Sequence, residues 1–258
     1  MRRTSLLSLL LLLFCESSLF AQNTYNFSQF GNESWSFIKQ PTKWDGSDYL
    51  KLGLMGAGTF LVMQADQPIR DAVLKDRRYY KSVPIEFGRM WGELYTPVVL
   101  FGGFALHSLI TDDIGTRKIA FEIGQASLYA GAINYLLKVA FGRARPYMEE
   151  GRTSFHPFST LFNIDHQSLP GGHCTAAFVV STVLSRNAKP VWLKGLAYVP
   201  AALTFVSRVY QDQHWTSDDF LGAAFGYFIA TWVVDLHENN KSSIEVSSAY
   251  PLTIRIVL

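Results

Sequence analysis

Residues 196–234 read LAYVPAALTFVSRVYQDQHWTSDDFLGAAFGYFIATWVV. Two apolar runs enclose thirteen positions, Ser207 to Asp219, which hold an Arg, a His and three Asp in a chain with only 17% charged residues. The flanking runs are rich in Ala, Gly, Leu and Phe and lack strict alternation, so they read as helices buried on most faces. Arg208 and His214 are six residues apart, about 240° around a continuous helix, and can share a site only if the chain breaks between them. A break at Gln211–Gln213 is predicted, with Arg208 closing one helix and His214 opening the next. On that second helix His214 and Asp218 are four apart, close enough for the carboxylate to hold Nδ1–H and leave Nε2 free as a nucleophile. Asp219 is expected to face away. Taken alone, the stretch reads equally well as a hydrated loop between helices.

Working outward, charge-free runs recur at Leu52–Ala65, Leu94–Thr111, Ile123–Leu137, Cys174–Ser185, Gly195–Ser207 and Phe220–Val234. Six such runs predict an all-α fold, a six-helix bundle. Only the tail SIEVSSAYPLTIRIVL, residues 243–258, alternates enough to suggest a terminal strand. Each run spans 12 to 18 residues, short of the roughly 20 that a full bilayer crossing needs. Lys51, Lys138, Lys194 and Arg208 could extend the spans by snorkelling. A mean hydropathy of +0.10 is low for six spans. Membrane association is expected, with a soluble bundle as the alternative.

The start, MRRTSLLSLLLLLFCESSLFAQ, has two Arg, an apolar core and a small-residue end, the pattern of a signal peptide over residues 1–21. Lipidation at Cys15 is the weaker reading, because Phe14 and Glu16 flank it. Removal of the peptide leaves Cys174 as the single cysteine, so no internal disulfide can form. Residues 22–48 read as an exposed lead-in, 49–237 as one helical domain and 238–258 as a C-terminal tail. The formal charge is +2, of which +1 comes from Arg2, Arg3 and Glu16, and this excludes nucleic acid as an expected partner.

Two further stretches set cations or a histidine at the edge of an apolar helix. In KVAFGRARP, residues 138–146, Lys138 and Arg145 lie two helical turns apart and can leave one face, and Pro146 ends the helix at Arg145. Arg143 is expected to point elsewhere, as a surface or interface cation. A positive anchor at a membrane edge is the alternative. In SLPGGHCTAAFVV, residues 168–180, Pro170, Gly171 and Gly172 make a tight turn into a helix whose free N–H groups favour an anion beside His173.

KVAFGRARP, PGGH and SRVYQDQHWTSD together resemble the tripartite signature K-x6-R-P, P-S-G-H and S-R-x5-H-x3-D of the type 2 phosphatidic acid phosphatase (PAP2) family, which is related to acid phosphatases and vanadium haloperoxidases. Order and spacing match in all three blocks, and the resemblance extends over roughly residues 90–236. It implies a six-helix core, often membrane-embedded, that hydrolyses phosphomonoesters or diphosphates with no metal and no cofactor. Carried onto this chain, it makes His214 the nucleophile that forms a phosphohistidine, oriented by Asp218, and His173 the acid that protonates the leaving oxygen. Lys138, Arg145 and Arg208 would bind the phosphoryl oxygens, helped by Ser207 and by Gly172 N–H. Gly171 departs from the pattern, standing where the family has Ser, and one hydroxyl donor is missing from the phosphate site. Such a bond is worth about 1.5–3 kcal/mol, so slower catalysis is expected.

The competing readings are a vanadium-dependent haloperoxidase-like enzyme, a non-catalytic lipid-phosphate-binding membrane protein, and a metal site using His156, His166, His173 and His214, whose spacings match no recognised ligand pattern. A phosphorylated lipid is the expected substrate, with a small phosphate ester as the alternative. The segment Tyr147–Leu169, with Glu149, Glu150, Arg152, His156, Asp165 and His166, lies between two of these blocks; most of its charges read as simply solvated, with a roof over the pocket as the alternative. Export implies a site open to the periplasm or the exported face of a membrane.

Overall fold

The computed structural model describes residues 23–158, 163–239, 245–247 and 253–255. Its helices are α1 (Phe27–Lys39), α2 (Gly46–Met63), α3 (Asp66–Lys75), α4 (Val83–Trp91), α5 (Tyr95–Thr111), α6 (Ile114–Phe141), α7 (Gly172–Asn187), α8 (Val191–Leu196), α9 (Val199–Tyr210) and α10 (Thr216–Asn239). The six charge-free runs fall on α2, α5, α6, α7, α9 and α10. The fold is all-α, as expected, and the remaining helices are the short or charged ones that hydropathy does not mark.

Helices α7 and α10 lie side by side at the centre, with α6, α9 and α2 packed around them. Their shared core comprises Ile123, Ala126, Val179, Val180, Val183, Ile229, Ala230, Val233 and Val234. Each fully buried Val or Ile contributes about 1.5–3 kcal/mol, which makes this seam the main source of stability. Helix starts follow sequence: Asp45 caps α2 by accepting from Ser47 and Asp48 N–H, and Asp113 caps α6 by accepting from Gly115 N–H.

Helix α6 ends at Phe141, not at Arg145 as Pro146 suggested. Gly142 takes the left-handed conformation (φ +58°), and a side chain there would overlap the His156 carbonyl. Glycine is required on both counts. The chain then turns back, and residues 142–144 pair with 154–156: Ala144 N–H donates to Ser154 O (3.0 Å) and His156 N–H to Gly142 O (2.8 Å).

The expected exposed lead-in is in large part a docked helix. Phe37 of α1 stacks on Tyr129 with ring centroids 4.2 Å apart. Glu33 is buried, accepting from Gln125 Nε2 (2.8 Å) and lying 3.1 Å from His237 Nε2. Burying a carboxylate requires such partners, and they come from α6 and α10, far away in sequence. In the tail, Glu245–Ser247 and Thr253–Arg255 pair antiparallel with Val246 opposite Ile254, two short strands rather than one. The predicted signal peptide, residues 1–21, lies outside the described residues.

Among the described residues, one helix, Thr216–Glu238, is long and apolar enough to cross a membrane, and the bent pair α4–α5 passes the same test jointly. The outward sides of α2 and α5 expose Leu50, Leu54, Leu61, Val98, Leu109 and Ile110, each more than 60% accessible.

Candidate active site

The turn between α9 and α10 answers for the charges enclosed by apolar sequence. Arg208, Asp212, His214, Asp218 and Asp219 are all buried, so the stretch is not a hydrated loop. The break falls where predicted, at Gln211–Trp215, and Asp212 adopts φ +60° within it. Arg70 from α3 holds that turn with a bidentate grip on Asp212, Nε to Oδ1 at 2.7 Å and Nη2 to Oδ2 at 2.9 Å.

Because α10 begins at Thr216, His214 sits in the turn and not on the helix. The expected direct bond to Asp218 is therefore stretched, with Nδ1 to Oδ2 at 3.8 Å. Ser168 stands at the junction: its hydroxyl donates to Asp218 Oδ2 (2.5 Å) and lies 3.4 Å from His214 Nδ1. Asp218 Oδ2 also accepts from Trp215 N–H (2.8 Å), so it caps α10 as well as facing the imidazole. Burial pushes the His214 pKa well below the ordinary histidine range, with Arg145 and Lys138 adding to it and Asp218 opposing. A neutral imidazole is the nucleophilic form.

Arg143 is not a surface cation. It is completely buried, pairing with Asp66 Oδ2 (2.8 Å) and Asp218 Oδ1 (2.6 Å). It also donates to Ser217 Oγ (2.8 Å) and to the Arg152 carbonyl, and it lies 5.5 Å from the Trp215 ring. Asp66 in turn accepts from Ser217 N–H (2.9 Å) and Oγ–H (2.6 Å). The turn at Gly142 takes Arg143 inward, where two buried carboxylates demand a cation. Sequence gave no sign of Asp66 or Ser168, because neither stands in a recognisable spacing.

Lys138 and Arg145 meet because the loop after Gly142 folds back, not because they share a helix face. Lys138 Nζ donates to the carbonyls of Gln167 (2.5 Å) and Ser168 (3.3 Å), and its stem lies beside Gly172. Arg145 donates to Ile164 O (3.0 Å) and to Gln213 O (3.2 Å), next to the nucleophile. Arg208 Nη1 donates to Gln211 Oε1 (3.0 Å), while its buried Nε–H has no partner. Ser207 departs from the expectation: its hydroxyl donates to Thr204 O (3.0 Å) within α9.

At the start of α7, Gly171 N–H donates to Asp218 O (2.7 Å), joining the glycine turn to α10. The His173 and His214 rings are 6.4 Å apart. His173 Nε2 lies 3.4 Å from Glu93 Oε1, without hydrogen-bond alignment. Asp219 does face away from Asp218's partners, but into the protein, and its carboxylate fills the space that a side chain on Gly171 would enter.

His173 lines two cavities. One, about 420 Å³, is polar, with Lys81, Arg89, Arg208 and Gln213 in its wall. The other, about 260 Å³, is walled by Leu94, Pro97, Ala130, Gly131, Ala176 and Val179. The unpartnered buried Nε–H of Arg208 beside such a cavity marks a place for a ligand that accepts hydrogen bonds.

The bundle brings two histidines, three cations and a helix N-terminus into one region, and residues 120–242, a little under half of the chain, match the model of the PAP2 superfamily. A lipid A 1-phosphatase of Porphyromonas gingivalis is 30% identical over 127 residues, 47% of this chain and 25% of that protein. The match thus spans about a quarter of that relative's length. The crystal structure of a transmembrane PAP2-type phosphatidylglycerolphosphate phosphatase from Bacillus subtilis superposes with a TM-score of 0.52 at 19% identity, covering 74% of this chain and 94% of that one, and supports the fold.

Proposed function

We propose that the chain is a lipid phosphatase that works through a phosphohistidine on His214. The observation that carries this reading is the convergence of His214, His173, Lys138, Arg145 and Arg208 from three distant segments, with an unpartnered cationic donor on Arg208. His214 Nε2 attacks phosphorus as the bond to the leaving oxygen breaks, and His173 gives that oxygen its proton. Lys138, Arg145, Arg208 and Gly172 N–H hold the phosphoryl oxygens as charge builds on them. Water then attacks the phosphohistidine, His173 takes its proton, and the phosphorus–nitrogen bond breaks. Asp218, neutralised on its far side by Arg143, balances the imidazolium that forms in between.

The apolar cavity reaching His173 offers room for part of a lipid, and the apolar outer sides of α2 and α5 suit contact with a bilayer. The two similar proteins are a lipid A 1-phosphatase and a phosphatidylglycerolphosphate phosphatase, both acting on lipid phosphates by name. Membrane residence with the site on the exported side completes the proposal. The purified full chain in detergent and EDTA, assayed on a phosphatidate, an isoprenyl diphosphate, a glycolipid phosphate and p-nitrophenyl phosphate, tests it. Turnover of a lipid phosphate, abolished in His214→Ala, supports the reading. Binding without turnover, or halide oxidation with vanadate and peroxide as the sole activity, contradicts it.

A further inference from the structure

The loop that carries Arg145 holds a second constellation, built from none of the residues assigned to phosphate. Glu150 Oε2 lies 2.9 Å from His156 Nε2, and Glu150 Oε1 lies 2.9 Å from His166 Nε2. The two imidazole rings are 4.3 Å apart, and one ligand atom from each of the three residues falls within 4.8 Å of the others. Ser154 Oγ borders the cluster, 2.8 Å from Glu150 Oε2 and 3.0 Å from His156 Nε2.

Two imidazoles and one carboxylate form a donor set suited to zinc, whereas Mg²⁺ and Ca²⁺ prefer oxygen ligands throughout. Tetrahedral bonds of about 2.0–2.1 Å would set ligand atoms about 3.3–3.4 Å apart, against 2.9 Å for each Glu150–histidine contact and 4.8 Å or less across the set. Both histidines are held by their main chain. His156 N–H is fixed to Gly142 O (2.8 Å), and Asp165 O, next to His166, accepts from Arg145 N–H (2.9 Å). Metal on His166 Nε2 requires a proton on Nδ1. That atom lies 2.8 Å from Asn163 Nδ2, and rotating the amide presents an acceptor there in exchange for the bond from Asp165 N–H.

We propose that Glu150, His156 and His166 bind one divalent cation of the zinc class, with a remaining position open to solvent. The ion has a structural role: it staples the segment that aims Arg145 at Gln213 O and that supplies the Gln167 and Ser168 carbonyls beneath Lys138. It takes no part in phosphoryl transfer, and the proposal stands whether or not the phosphatase reading does.

The full chain in detergent, purified on a tag without histidines, treated with EDTA and then freed of chelator, is titrated calorimetrically with Zn²⁺ alone. One equivalent should bind and raise the melting temperature. His166→Ala and Glu150→Gln, each with wild-type circular dichroism, should lose that equivalent and the thermal shift; if one variant fails to fold, the other serves. Failure of the wild-type chain to bind a stoichiometric equivalent, or its retention in a folded variant, overturns the proposal.

Discussion

Asp219 occupies the space into which a side chain on Gly171 would project: besides overlapping the carboxylate, a Cβ at 171 would stand 3.0 Å from Asp219 Cα and 3.1 Å from Asp218 O. The missing serine of the second motif is thus one half of a packing exchange, with the aspartate that follows Asp218 as the other half.

Restoring serine should therefore harm the protein. Gly171→Ser alone is expected to lower stability by about 1–3 kcal/mol through overpacking and to reduce turnover. Gly171→Ser with Asp219→Ala should recover part of each relative to Gly171→Ser, because the crowding against Asp219 Cα and Asp218 O remains. A double-mutant cycle by chemical denaturation measures the coupling, and additivity would contradict the exchange.

Arg143 and Arg145, two residues apart, should fail in opposite ways. Arg143→Met leaves Asp66 and Asp218 without their buried cation and should cost about 3–5 kcal/mol of stability. Arg145→Ala removes a partly accessible side chain bonded to two carbonyls, and should leave melting nearly unchanged while lowering kcat/KM for lipid phosphate. Melting curves and kinetics on the two variants check the contrast.

The acid limb of phosphoenzyme formation reports His214. Its pKa is lowered, so the ring is neutral at neutral pH and loses nucleophilicity only as pH falls below that depressed value. The limb should lie below the free histidine range of about 6.5. Arg145 contributes to the lowering, so Arg145→Ala should move the limb to higher pH. Rapid-quench rates across a pH series read both; a limb that moves to lower pH contradicts the assignment.

Ser168 links the orienting acid to the nucleophile. Ser168→Ala removes a charge-assisted bond to Asp218 worth about 1.5–3 kcal/mol, and should lower kcat about tenfold or more while Trp215 N–H and Arg143 keep Asp218 in place. Steady-state kinetics with KM and kcat separated, together with a melting curve, check it.

The apolar runs made the six main helices legible, because Leu, Phe, Ala and Gly without charge mark elements buried on most sides. The chain break before His214 was legible too, since 240° of helix separates it from Arg208. What sequence could not show were long-range compensations. Arg143 looked like a solvated cation because its partners, Asp66 and Asp218, are 77 and 75 residues away. Glu33 looked exposed for the same reason, its partners Gln125 and His237 being 92 and 204 residues distant. Asp219 read as facing away because what it meets, the Gly171 backbone and the Cys174 side chain, lies at the start of α7 and not on its own helix. His156 and His166 fitted no ligand spacing, and they meet only because Gly142 turns the loop back on itself.

The most direct test of the central claim is to trap the enzyme during turnover of a radiolabelled lipid phosphate by alkaline quench, which preserves phosphohistidine, and to map the label by peptide mass spectrometry. The phosphoryl group is expected on His214 and should be absent in His214→Ala. Label on another residue, or undiminished hydrolysis by His214→Ala, would contradict the account.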